Sequence, residues 1–259
     1  MPDLHFLVRP LVALALAGCL ALPGVAQGND AWTQLLETYV HESTDGVNRV
    51  DYAALSASTA DRATLDTYIA SFEARDLTGT DDVTFAAWAN LYNAVTVRYI
   101  AEKYPLDSIR DGLLFGGPWK KVTVMAGGRE VSLDAIEHDI LRPRFGDPRV
   151  HYAINCASYG CPNLLTRAWT ANTLDADLDA AARAYINHPR GVTVGNRGLT
   201  VSSIYKWFEA DFGGSKDGVI KHLLHYAEPA LAENIRATPK IRGYTYDWSL
   251  NDTRMDPAK

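Results

Sequence analysis

Between Arg149 and Pro162 the chain carries His151, Asn155, Cys156, Ser158 and Cys161 in one short run. A cysteine, a histidine and a side-chain amide are the parts of a thiol hydrolase, in which the thiolate attacks, the imidazole takes its proton and the amide orients the ring. Their order and spacing do not match the local signatures of papain or caspase enzymes. Residues 150–154 are predicted to form a short strand, which would place His151 and Asn155 on one face, with a turn at 157–160. Pro162 then opens a helix, where its missing N–H costs nothing, and Cys161 would feel the positive end of the dipole, which favours the thiolate. The same residues allow other outcomes. Two cysteines five apart in an oxidising compartment can close the turn as a disulfide, or both can stay as inert thiols.

Three further arrangements compete for the chemistry. Asp134 and His138 are four residues apart on an expected helix, so the carboxylate can hold the imidazole and raise its basicity, either as a catalytic base or as a structural ion pair. Glu137 lies beside them. His138, His151, Cys156 and Cys161 would make a four-ligand zinc set, but no HExxH or CxxC spacing supports it, and no metal or other cofactor is expected. Ser158 sits in Cys156-Ala157-Ser158-Tyr159-Gly160, which is G-x-S-x-G without its first glycine and without the serial parallel strands of an α/β-hydrolase. Asn90 and Asn93, inside a strongly apolar helix, either line a polar pocket or satisfy loop backbone in the core. The aromatics at 205–208 and 244–248 read as core and closure more than as a ligand cage.

The elements that must position these groups follow from periodicity and punctuation. Helices are expected at 30–41, 65–72, 83–103, 133–141, 174–187, 203–211 and 217–237. The longest, 83–103, carries Phe85, Trp88, Tyr92, Val95 and Tyr99 as an apolar stripe. Hairpins are expected at 121–125 with 130–132, around Gly127-Gly128, and at 191–194 with 199–201, with a last strand at 241–246. The class is α+β, with helices packed around a small, mostly antiparallel sheet of hairpins.

Residues 1–26 hold one arginine, an apolar run and a small-residue segment ending at Ala26, the pattern of a secretory signal peptide. The protein is expected to be exported, to the periplasm or beyond. Leu16-Ala17-Gly18-Cys19 also fits the site of a lipid-modified cysteine, which would leave a lipoprotein anchored at Cys19. The apolar run is too short to span a bilayer, and no other run approaches the length needed, so no transmembrane segment is expected. Residues 27–259 are within the range of a single domain. With 47% hydrophobic and 22% charged residues the composition is that of an ordinary globular protein. A net charge of −6 with scattered basic residues disfavours nucleic acid as a partner.

Taken in order, Trp88-Ala89-Asn90-Leu91-Tyr92-Asn93-Ala94, Tyr104-Pro105, Pro118-Trp119, the block from Leu133 to His138, the block from His151 to Ser158 with Cys161-Pro162, Trp207-Phe208-Glu209-Ala210-Asp211-Phe212 and Tyr246-Asp247-Trp248-Ser249-Leu250-Asn251 resemble the ordered blocks of the domain of unknown function 547 family. The resemblance spans residues 50–251. It implies that the histidine and first cysteine of the 151–156 block recur, whereas some plant members have serine at the position of Cys161. That argues against a disulfide common to the family and moves the nucleophile's role towards Cys156. It also implies that the Glu137-His138 and Asn90/Asn93 blocks share a core, around one pocket. Members fused to coiled-coil segments keep a non-enzymatic role open. The first expectation is a cysteine-dependent hydrolase or acyl transferase acting on a peptide, amide or thioester bond of a small-molecule or peptide substrate. Cys156 would be the nucleophile with Cys161 as understudy, His151 or His138 the base, Glu137 or Asp134 the orienting carboxylate, and Asn155 or Asn90 the oxyanion donor. The second is a binding or scaffold domain with structural cysteines. The third is a metal-dependent hydrolase.

Overall fold

A computed structural model of the chain describes residues 26–111 and 117–255. The expected signal peptide and Cys19 therefore lie outside the described residues, apart from Ala26. The chain opens with α1 (Ala26–Tyr39), a two-residue antiparallel pair β1 (Val40–His41) and β2 (Arg49–Val50), then α2 (Tyr52–Ala57) and α3 (Thr59–Ala70). Asp51 and Ser58 cap the last two helices by accepting the backbone N–H groups of Ala54 and Asp61.

The centre of the molecule is α4 (Asp82–Lys103), capped by Asp81, whose carboxylate accepts the Thr84 N–H. The expected apolar stripe is in fact an apolar cylinder: nearly every residue from Thr84 to Ala101 is buried. Alanines at 86, 87, 89 and 94 face the sides that the large residues leave free, so neighbouring elements approach on all faces. Next come the hairpin β3 (Thr123–Ala126) and β4 (Arg129–Ser132), a helical turn α5 (Leu133–Ala135), a π-helical turn over Ile136–Leu141, and α6 (Arg142–Phe145). The expected helix at 133–141 thus exists, but it widens to i→i+5 spacing where Glu137 and His138 lie. π-turns are frequent at functional sites.

Residues 150–154 do not form the expected strand. Asp147 accepts the Arg149 N–H on its side chain and the Val150 N–H on its carbonyl, and this turn starts the short helix α7 (Val150–Ala153). No helix follows Pro162, so Cys161 sits in a loop and no helix dipole acts on it. The second half holds α8 (Leu174–Ile186), β5 (Val192–Gly195), β6 (Gly198–Ser202), α9 (Ile204–Trp207), α10 (Lys216–Tyr226), α11 (Pro229–Ala237) and β7 (Ile241–Thr245). The single helix expected at 217–237 breaks before Pro229, whose ring cannot continue the preceding turn and instead starts α11. The expected helix at 203–211 is one turn, α9, followed by a turn. β5 and β6 are antiparallel, whereas β7 pairs with β6 in parallel.

One buried cluster joins α1–α7 and the start of α8 around α4, and a second joins the rest of α8, α9–α11 and Tyr152 of α7 to the three-stranded sheet. The class is α+β. No helix among the described residues is long and apolar enough to cross a membrane.

Candidate functional site

The loop that follows α7 is held from two sides. From α4, Asn93 donates to the Ala153 carbonyl at 2.9 Å and accepts the Asn155 N–H at 2.8 Å, while Asn90 makes the same two-way contact with the Trp169 backbone at 2.9 Å each way. From the C-terminal segment, the carbonyls of Asp247 and Ser249 accept the N–H groups of Gly160 and Tyr159. A Cβ at Gly160 would lie 2.9 Å from the backbone of Asp247, so this approach requires glycine. Asn155 is spent locally: its amide donates to the Pro162 carbonyl at 2.7 Å and accepts the Ala157 N–H at 2.8 Å, which holds Ala157 at φ 59°. Asn90, Asn93 and Asn155 therefore build the loop and do not line the pocket: for Asn90 and Asn93 this selects the loop-backbone alternative over the ligand and oxyanion roles, and for Asn155 it corrects the expected role as oxyanion donor. Ser158 is also buried away from the pocket, its Oγ 3.7 Å from Cys156 Sγ. Asn93→Ala, which removes two buried bonds at once, is expected to destabilise the protein by about 2–3 kcal/mol in urea titration. A change below about 0.5 kcal/mol would show that the clamp is dispensable.

Clamped in this way, the loop presents Cys156 and Cys161 to a pocket of about 560 Å3 that residues of both clusters line. Glu137, His138 and His151 reach the same pocket, and Asp134 joins them at the wall. Aromatic rings form much of the remainder. Trp248 packs edge-on against Trp119 and tilted against Trp207 and Tyr246, with centroids 5.8, 5.6 and 4.6 Å away, and Trp207 is half exposed. The expectation that this aromatic segment is core holds for Tyr205, whereas Trp207, Phe208, Tyr246 and Trp248 line the pocket. Lys120 and Lys121 add positive charge to its lining.

Cys156 and Cys161 form a disulfide, with Cα atoms 6.3 Å apart. This selects the second of the outcomes open to these residues and corrects, for this chain, the inference against pairing. The Tyr246 hydroxyl lies 3.1 Å from one sulfur and 3.0 Å from the other, and the Cys156 N–H donates to Cys161 Sγ at 3.0 Å.

The histidines face carboxylates and an arginine; the sulfurs face Tyr246. His151 Nε2 lies 2.7 Å from Asp211 Oδ2, and its Nδ1 lies 3.9 Å from Glu137 Oε1. Phe208 stacks on the ring at 4.0 Å. Burial keeps His151 below the ordinary histidine value despite Asp211, so the neutral ring donates from Nε2 and leaves Nδ1 as an acceptor towards Glu137. Asp211 is held far below the carboxylate range by His151 and by Arg142, whose Nε and Nη2 donate to it at 2.6 and 3.0 Å. His138 Nε2 is 3.9 Å from Asp134, as the i, i+4 spacing implied, but its Nδ1 faces Arg142 at 2.8 Å. Desolvation lowers its pKa, so the expected gain in basicity is not realised.

Glu137 has the most unusual environment. It is 9% exposed, and burial raises its pKa from 4.5 to about 7, against the pull of Arg142 and of a hydrogen bond from Tyr92. A carboxyl that is half ionised at neutral pH is an acid and a base in turn. Asp211, Arg142, Tyr92 and Tyr246 are the residues that spacing alone did not mark. Tyr92, Asp211 and Tyr246 lie inside blocks that carried the resemblance, which was the available signal, and Arg142 is four residues beyond His138.

His138, His151, Cys156 and Cys161 do not assemble as a zinc set, since the sulfurs are joined and each imidazole faces charged side chains. Among the described residues no three His, Cys, Asp or Glu groups converge in a way that could hold a metal ion.

This clamped, pocketed loop falls within a recognisable span. Residues 77–186 match the family model described as Protein of unknown function, DUF547. The DUF547 span runs from just before α4 to the end of α8 and contains Tyr92, Glu137, His138, His151 and both pocket cysteines. The other wall, with Trp207, Phe208, Asp211, Tyr246 and Trp248, lies beyond the DUF547 match. No curated protein and no solved structure matches the chain.

Proposed function

We propose that the protein is an exported cysteine-dependent hydrolase or acyl transferase that cleaves a peptide, amide or thioester bond in this pocket when the cysteine pair is reduced. One observation carries the reading: a partly exposed cysteine, Cys156, and a carboxyl poised near neutrality, Glu137, line the same aromatic pocket. Cys156 Sγ attacks the substrate's carbonyl carbon while its proton passes to the Glu137 carboxylate. Tyr246 and Lys120 are the donors on the wall for the developing oxyanion. The C–N or C–S bond then breaks, the leaving group takes the proton from Glu137, and water or a second acceptor, deprotonated by Glu137, releases Cys156. His151 and Asp211 position Glu137 and do not touch the thiol.

The test uses reduced protein, an aryl thioester and an iodoacetamide label. Cys156→Ala is expected to abolish turnover, and turnover should survive chelators. Full turnover in that variant would sink the reading. A second reading, a binding domain whose disulfide is structural, is favoured by the pairing of Cys156 with Cys161. It predicts no turnover and equal, slow labelling of both thiols after reduction.

A further inference from the structure

The pocket opens onto a disulfide whose two sulfurs are held differently. Cys156 is partly exposed, whereas Cys161 is 3% exposed. Cys161 Sγ receives a fixed backbone N–H from Cys156 at 3.0 Å and has the Tyr246 hydroxyl at 3.0 Å. Cys156 Sγ shares only the single Tyr246 proton, at 3.1 Å, and has Ser158 Oγ further off at 3.7 Å. In thiol–disulfide exchange the sulfur that can be reached is attacked and the sulfur whose thiolate is better stabilised departs. Access and stabilisation here fall on opposite members of the pair, so the two sulfurs have distinct roles. The wall beside them is apolar and aromatic, with Lys120 and Lys121 among its lining residues, which suits a small anionic thiol.

From this asymmetry we infer a second activity, thiol–disulfide exchange between the Cys156–Cys161 pair and a low-molecular-weight anionic thiol bound in the pocket. The thiolate attacks Cys156 Sγ, a new S–S bond forms there, the Cys156–Cys161 bond breaks, and its electron pair leaves on Cys161 Sγ. A second thiolate attacks the ligand's sulfur in this mixed disulfide and releases Cys156 as thiolate together with the ligand's disulfide. Two thiols are oxidised and one protein disulfide is reduced. The two protons lost by the ligand thiols end on Cys156 and Cys161, with Glu137 as the acid at hand in the pocket. This activity does not depend on the hydrolase reading, because no acyl group takes part.

The test treats the oxidised, folded chain with glutathione, quenches in acid and maps the adduct by peptide mass. The expected result is glutathione on Cys156 and none on Cys161. Tyr246→Phe should form the adduct about tenfold more slowly, as one hydrogen bond to the departing thiolate is lost. Should that variant fold poorly, Cys161→Ser offers a second measurement: in the folded protein Cys156 should take up glutathione from oxidised glutathione. An adduct on Cys161, or no adduct in the folded protein where the denatured chain reacts, overturns the inference. Exchange without thioester turnover supports it and removes the hydrolase reading instead.

Discussion

Glu137→Gln is expected to abolish a pH-dependent weakness of the folded protein and, with it, most of the proposed activity. The folded carboxyl titrates near 7 and the unfolded one near 4.5. Between these values the folded state binds the proton that the unfolded state has released, so Glu137 favours folding fully below pH 4.5 and loses that contribution as pH rises through 7. The interval amounts to at most about 3 kcal/mol at 1.36 kcal/mol per unit. Histidines with lowered pKa values, His151 and the partly buried His222 among them, act in the opposite sense, because they prefer the neutral form that high pH supplies. Only the difference between variant and wild type isolates Glu137. Urea unfolding at pH 5 and pH 8 should show the variant gaining about 2–3 kcal/mol relative to wild type over that span. Parallel profiles would mean that the carboxyl is solvated and ionised throughout. Thioester turnover of the reduced variant should fall roughly a hundredfold, the usual contribution of a positioned general acid or base.

The second large effect belongs to Asp211. Alanine at this position would leave the His151 N–H unpaired in a site where its ring is 2% exposed, and would free Arg142 from its paired bonds. Removing one partner of such a network costs more than the network's net worth, since the remaining groups stay desolvated. Asp211 is 23% exposed, which tempers the loss to about 3 kcal/mol. Asp211→Asn keeps an oxygen acceptor for His151 and should recover a substantial part of it. The wild-type contribution of Asp211 is complete above its ordinary value of 3.8 and is lost only as pH falls through its much lower folded value. The two variants can therefore be compared at pH 7 by urea titration. Equal stability of Asp211→Ala and wild type would show that water replaces the carboxylate.

The sequence was most legible where information is local. The α4 helix, the two hairpins and the break at Pro229 are written in periodicity, glycine-bearing turns (Gly127-Gly128 and Gly195-Asn196-Arg197-Gly198) and proline geometry, although the continuous apolar pattern of 217–237 hides the last. The 150–154 segment misled because Val150, Tyr152 and Ile154 alternate as in a strand, while Asp147 and Pro148, which start the helical turn, lie just upstream. The π-turn has no periodicity of its own over six residues.

For the site, the residue types Cys, His and Glu mark the part of the chain that carries the chemistry, and Cys156, Cys161, Glu137, His138 and His151 all reach one pocket. Their partners were not legible. Asp211 meets His151 from sixty residues away, and Tyr246 meets Cys156 from ninety. The roles of Asn90 and Asn93 were open for the same reason: an amide in a buried helix must find partners, but which backbone it meets depends on packing. By itself, then, the sequence determined the α+β class, the central helix and the set of chemically able side chains, because these follow from neighbours within a turn or a hairpin. The tertiary structure alone decided the pairing of the two cysteines, the turning of His151 towards Asp211, and the raised pKa of Glu137. Each of these depends on desolvation and on contacts across the chain, which spacing does not encode.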